Sequence, residues 1–161
     1  MTMIDPVLEQ KMDAISEQVF GTVKDPGQIP INEESGKKLD ALTPFWREYR
    51  LDDKGEPIAW AIVLPTTKEL AHMFVDGKIT EKQLLEITTP QDVYSAIYLC
   101  AVVTVPEYRR RGLGRKLFKA AVDKIEKTQD YILFAWPVGE GGLELVRKVA
   151  KDFDREIIIR E

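Results

Sequence analysis

Ile97-Tyr98-Leu99-Cys100-Ala101-Val102-Val103-Thr104-Val105-Pro106-Glu107-Tyr108-Arg109-Arg110-Arg111-Gly112-Leu113-Gly114-Arg115, with the helical pattern that runs on to Lys127, decides the fold. The apolar run to Val105 reads as a buried strand, because β-branched residues are frequent in it and Pro106 cannot continue a ladder. After the turn, Leu117, Phe118, Ala121, Val122 and Ile125 recur at a period of 3.6. Lys116, Lys119, Asp123, Lys124 and Lys127 fall opposite them, which is the pattern of an amphipathic helix. Between strand and helix lies a turn with two glycines and three consecutive arginines. A strand, a Gly-rich turn and a helix N-terminus with unsatisfied N–H groups together make an anion site. Gly112 and Gly114 let a ligand approach the backbone with no Cβ in the way.

The charge of this segment points the same way. Residues 109–119 carry six basic side chains, Arg109, Arg110, Arg111, Arg115, Lys116 and Lys119, and no acidic one. The whole chain is −4, so the other 150 residues carry −10. Cations at a helix N-terminus oppose the macrodipole, and a multiply charged anion between them and the helix end removes the conflict. A solvated basic turn is the plainer reading of any one of these arginines. The combination of strand, Gly-x-Gly and basic cluster favours the anion.

At 161 residues, with 44% hydrophobic and 31% charged side chains, the composition is that of a single globular domain, residues 1–161, able to bury a core without staples. The single Cys100 excludes an intramolecular disulfide and lies in the strand pattern, where a free cysteine acts as a small core residue. A catalytic thiol needs a basic partner, and His72 is the one histidine available. No apolar stretch approaches the ~20 residues of a bilayer span, and Met1–Gln18 contains acidic residues and no apolar h-region. A reduced, cytoplasmic setting without a membrane is the default expectation. The net negative charge argues against nucleic acid as a partner.

Arg109-x-x-Gly112-x-Gly114, following a strand and opening an amphipathic helix, resembles the acyl-coenzyme A signature Arg/Gln-x-x-Gly-x-Gly/Ala of the GNAT superfamily of N-acetyltransferases. Val105-Pro106-Glu107-Tyr108 ahead of the first arginine and Leu117 inside the helix also suit it. The resemblance covers residues 97–136. It implies an α/β domain, a mixed sheet of about six strands with the signature strand central. It also implies acetyl-CoA as co-substrate, no metal, and transfer of an acetyl group to an amine of a small molecule or protein. The coenzyme would sit on the segment Arg109, Arg110, Arg111, Gly112, Leu113, Gly114 and Arg115, with its pyrophosphate on the backbone amides. Its pantetheine arm would pair with main-chain groups of Val103, Thr104 and Val105. The family splays the signature strand from the next one, often at a bulge, to open a cleft for that arm. Pro106 and Pro137 each stop a strand near the expected mouth.

Elsewhere the chain reads as follows. Asp5-Pro6 starts a helix with Val7, Leu8, Met12, Ile15 and Val19 as its apolar stripe. Lys24–Pro30 reads as a loop, and Asn32–Leu42 as a short helix interrupted at Gly36. Phe45–Leu51 and Ile58–Leu64 form a hairpin around Asp52-Asp53-Lys54-Gly55, with Trp46 and Trp60 as core residues or as an aromatic wall for the acceptor. About 30 residues then precede the signature strand, where the family often has a tight turn. Thr66-x-x-Glu69 and Thr80-x-x-Gln83 are capping-box patterns, so residues 66–88 read as a helical hairpin inserted there. Its apolar residues Leu70, Met73, Phe74, Leu84, Leu85 and Ile87 need a packing surface, and a lid on the cleft, a scaffold and a homodimer contact are all open. After the signature helix come a strand over Asp130–Trp136, a flexible Gly139–Gly142 turn, a helix over Leu143–Asp152 and a final strand over Phe153–Ile159.

Acyl transfer needs a polarised thioester carbonyl, a deprotonated amine and a proton for the leaving thiolate. The family often supplies the acid from a tyrosine in the helix after the next strand, and Leu143–Asp152 contains none. Tyr94, Tyr98 and Tyr108 are the nearest alternatives. Glu48, His72, Asp92 and Glu107 are candidates for the base, and no residue is assigned a catalytic role. An N-acetyltransferase and a non-catalytic acyl-CoA-binding module on the same fold are the two readings. A bare phosphate or dinucleotide site is third, because neither a P-loop nor a third fingerprint glycine is present.

Overall fold

Five strands, β1 (Arg47–Leu51), β2 (Pro57–Thr66), β3 (Ala96–Thr104), β4 (Ile132–Ala135) and β5 (Ile157–Ile159), form one mixed sheet in sequence order. The computed structural model describes residues 5–20 (backbone alone over 16–20), 28, 29 and 32–161. β1 to β3 are antiparallel, and β4 and β5 join parallel to β3. Six helices cover the sheet: α1 (Pro6–Phe20), α2 (Glu33–Leu42), α3 (Lys68–Val75), α4 (Glu81–Ile87), α5 (Leu113–Lys124) and α6 (Gly139–Asp152).

Strand alternation sorts the core into two halves. Trp60, Ile62, Leu64, Tyr98 and Phe134 pack with Met12 of α1, Leu39 and Leu42 of α2, Phe74 of α3, and Leu84 and Leu85 of α4. Ala59, Ala61, Val63, Ile97, Leu99, Leu133 and Ala135 pack with Leu117, Phe118, Ala121 and Val122 of α5 and Val146, Val149 and Ala150 of α6. The two parallel connections, β3-α5-β4 and β4-α6-β5, place both crossover helices on the second face. The signature strand is central, as expected. The sheet has five strands, one fewer than the family resemblance implied, and only β5 follows α6.

Several local readings need correction. Gly36 does not interrupt α2. It is buried inside the helix, and a Cβ there would meet Oε1 of Glu9 at 3.4 Å and the Trp46 ring at 3.9 Å, both ordinary contact distances. α3 is capped by Thr67, whose hydroxyl accepts from the Leu70 amide at 3.3 Å. Thr66 instead ends β2 and shares a hydrogen bond of 2.7 Å with Thr88. Thr80-x-x-Gln83 forms the full capping box. Gly139–Gly142 is the first turn of α6, not a free turn. Val7 is 59% exposed and Ile87 47%, so neither joins the core. The loop expected over Lys24–Pro30 lies mostly outside the described residues, as does the Val19 side chain.

The 66–88 hairpin packs on the face opposite α5. Leu84, Leu85 and Phe74 join the α1–α4 half of the core, with Leu70 and Met73 partly buried against it. Glu81, buried in the first turn of α4, accepts from the Tyr98 hydroxyl at 2.6 Å and from the Ile29 amide at 3.0 Å. Trp46 and Trp60 are both buried core residues. Among the described residues no helix is long and apolar enough to cross a membrane.

Candidate functional site

β3 and β4 pair only over Ala96–Leu99 and Ile132–Ala135. β4 then stops, and β3 runs on to Thr104 with no strand beside it on that edge among the described residues. Against β2, Ile62 pairs with Ala101 and Val63 with Leu99, so Cys100 is an extra residue, a β-bulge at the point of splay. The wedge between the diverging strands is a cleft of about 120 Å³. Leu99, Cys100 and Val102 of β3, Phe118 of α5, Trp136 beyond β4 and Leu145 of α6 are among its lining residues.

Val105 donates to the Ile58 carbonyl at 2.9 Å, which fixes the phase of the β2–β3 ladder. By antiparallel alternation the main-chain groups of Val103 and Val105 turn toward β2, and those of Val102 and Thr104 toward the open edge. Of the three strand residues expected to pair with an extended ligand, Thr104 is the one so placed. Val102 joins it.

The cleft leads to the turn before α5. Pro106–Tyr108 forms a 3₁₀ turn, Arg110 takes φ +65° and Gly112 φ +73°. Gly112 is the N-cap of α5 and provides no side-chain cap, and the first turn of α5 has no acidic residue. The amides of Leu113, Gly114 and Arg115 have no acceptor within the helix, by the geometry of any helix start. The two glycines serve different ends. Gly112 holds a left-handed conformation with nothing within 4 Å of a Cβ position. Gly114 seats α5, because a Cβ there would stand 2.9 Å from Cγ2 of Val102.

The six cations are less free than the sequence implies. Arg115 donates Nε and Nη2 to the two oxygens of Asp152 at 2.6 and 2.5 Å, and Lys119 lies 3.6 Å from the same carboxylate. The hydrogen bond from Arg115, then its charge and that of Lys119, hold the Asp152 carboxyl down at about 2. Arg109 folds back to give Nε to the Thr104 carbonyl at 3.0 Å, on the open edge of β3. Arg111 gives Nη2 to the Glu107 carbonyl at 3.2 Å and covers the Tyr108 ring at 4.8 Å. Among the described residues Arg110 and Lys116 make no ion pair.

The candidate acids and bases do not gather at the cleft. Glu48 pairs with Lys124 at the far end of α5. Asp92 accepts from the Thr89 amide at 2.9 Å. His72 and Glu107 are exposed. Tyr94 donates to the Leu42 carbonyl at 2.9 Å. Tyr98 is buried and bonded to Glu81, and burial, with Glu81 beside it, pushes its hydroxyl well above the ordinary tyrosine value. Cys100 does line the cleft, and burial pushes its thiol well above the ordinary range, so it is held neutral. Among the described residues no cluster of His, Cys, Asp and Glu suits a metal. The sequence reading missed Trp136, Phe118, Leu145 and Asp152. Phe118 appeared only on the apolar face of a helix, Trp136 only as the end of a strand and Leu145 only within a helix range, and Asp152 meets Arg115 across 37 residues with no local signal.

Residues 84–143 match the family model described as the acetyltransferase (GNAT) domain. The resemblance seen in the signature is thus borne out, and the match spans the end of α4, the signature strand, the turn after it, α5, β4 and the start of α6. No curated protein matches the chain. Among solved structures, it is similar to a protein from Corynebacterium glutamicum described as histone acetyltransferase HPA2 and related acetyltransferase, at 17% identity and a TM-score of 0.49, covering 92% of this chain and 82% of that one. It is also similar to two mutants of the BH1408 protein from Bacillus halodurans, at 12% and 10% identity and TM-scores of 0.39. Each covers 92% of this chain and 83% of theirs.

Proposed function

We propose that the protein is an acetyl-CoA-dependent N-acetyltransferase acting on an amine of a small molecule or protein. The observation that carries this is the splay of β3 from β4 at Cys100, which leaves one open strand edge leading to an uncapped helix N-terminus. The open edge runs over five residues, Cys100–Thr104, about 17 Å at strand rise. A pantetheine arm has about the reach of four to five residues of extended chain. With pyrophosphate on the amides of Arg110, Arg111, Gly112, Leu113, Gly114 and Arg115, the thioester therefore falls beside Cys100. The arm's amides would pair with Val102 and Thr104 on the open edge. For Thr104 this requires Arg109 to release the strand carbonyl and turn to the phosphates. A main-chain N–H at the bulge is the group available to polarise the thioester carbonyl. The setting is cytoplasmic, and the co-substrate needs no metal.

The non-catalytic coenzyme-binding reading keeps one specific support. α6 has no tyrosine, and Glu48, Asp92, Tyr94 and Tyr98 are all bonded away from the cleft. Titration calorimetry with acetyl-CoA, followed by thiol release in the presence of an amine panel, separates the two. Thiol release that depends on the amine supports the transferase. Binding without release across the panel supports the module, and no binding removes both.

A further inference from the structure

Trp136 is the first residue beyond β4 and stands where the cleft closes. The residue lines the cleft with Leu99 and Cys100, and its indole lies on the α1–α4 side of the sheet. It also packs on Arg160, whose guanidinium carbon lies 4.3 Å from the ring centroid, and on Phe74 in an edge contact at 5.9 Å. Arg160 is held in turn: it lies 4.6 Å over the Phe74 ring and donates Nη1 to the Ile79 carbonyl at 3.0 Å. Phe74 is fully buried and touches Tyr98 and Phe134 at ring separations of 5.1 and 6.0 Å. The indole is therefore backed by a packed stack, and close-packed interiors do not yield to one more methylene without cost. Phe118 and Leu99, also lining the cleft, are 1% and 3% exposed and belong to the α5 half of the core.

We propose that Trp136 sets the length of the acyl group the protein accepts, confining it to acetyl and propionyl. The inference rests on the coenzyme reading above, which brings the thioester to Cys100. From there an acyl chain pointing into the closed end of the cleft meets the indole within a few atoms. Arg160 and Phe74 deny the indole a second position.

Calorimetry on the full chain with coenzyme A and its acetyl, propionyl and hexanoyl thioesters tests this, with thermal unfolding as the check that each variant is folded. In the wild type, hexanoyl-CoA should bind about tenfold or more weakly than acetyl-CoA, and propionyl-CoA within about threefold of it. Trp136→Ala should close the hexanoyl gap. Arg160→Met, which removes the support behind the indole and leaves the ring in place, should narrow it. That variant keeps the test alive if Trp136→Ala does not fold. Equal wild-type affinity for acetyl and hexanoyl thioesters overturns the inference. So does a folded Trp136→Ala that keeps the tenfold gap. If neither coenzyme A nor any thioester binds the wild type, the coenzyme reading itself falls and takes this inference with it. If coenzyme A binds and acyl length is not distinguished, the inference alone falls.

Discussion

A Cβ on Gly114 would stand 2.9 Å from Cγ2 of Val102 and 3.4 Å from Cδ2 of Leu145. Overpacking of this kind costs about 1–3 kcal/mol, so Gly114→Ala should lower the melting temperature, and Val102→Ala in the same chain should restore part of the loss. Gly112→Val acts otherwise. It forces a β-branched residue to φ +73° and puts bulk beside the helix amides, so coenzyme A binding by calorimetry should fall sharply. Asp152 is a third kind of residue. Its folded carboxyl titrates at about 2 against an ordinary 3.8. A depressed carboxyl stabilises the fold above its unfolded value, and the contribution is lost as pH falls through the folded one. Unfolding followed against pH should show wild type and Asp152→Asn differing by a constant above about pH 4, the difference shrinking toward pH 2. The same variant releases Arg115 and Lys119, so it should bind coenzyme A more tightly at low salt.

At the scale of elements, what could be read early was local. A strand ending at proline, a Gly-x-Gly turn and an amphipathic helix are each written in consecutive residues, and β3, the turn and α5 appear where that pattern puts them. The Thr80–Gln83 capping box is equally local. Thr80→Ala should cost about 0.5–2 kcal/mol of stability, measured by denaturant unfolding. The Thr66 reading failed because two adjacent threonines both fit a cap, and only the end of β2 decides between them. The bulge at Cys100 could not be read, since it is defined by the register of β2. Asp152 and Trp136 were missed for a similar reason: their partners come from other elements. Glu81 ties α4 to β3 through Tyr98 and to Ile29. Glu81→Ala leaves two buried donors unpaired and should cost several kcal/mol, about 1–3 for each.

For the whole molecule, the sheet divides the labour. The α5–α6 face carries the Arg109–Gly112 turn and one wall of the cleft, and the α1–α4 face holds Trp136 from behind through Phe74 and Arg160. Of the six cations that made the turn conspicuous in the sequence, Arg115 and Lys119 are paired with Asp152, and Arg109, Arg110, Arg111 and Lys116 make no ion pair among the described residues. Coenzyme affinity should therefore fall with salt, less steeply than six free cations would give, since Arg115 and Lys119 are committed to Asp152. Affinity unchanged on repeating the calorimetry across salt would show that Arg109 keeps the Thr104 carbonyl and that only amides meet the ligand.

The extra residue at Cys100 works as a change of phase in the middle of a strand. Before it, Ile97 and Leu99 face α5. After it, Val102 does, while Tyr98 and Val103 share the other face. Removing Cys100 would bring Leu99, opposite Val63, next to Ala101, opposite Ile62, so the β2–β3 ladder would run unbroken and each residue would keep its face. The local bend that parts β3 from β4 would be lost, and with it the cleft between them. Cys100→Ala should be mild, and deletion of Cys100 should abolish coenzyme binding even in a chain that still folds. The bulge thus supplies the departure of β3 from β4, while the faces downstream are those of an unbroken ladder.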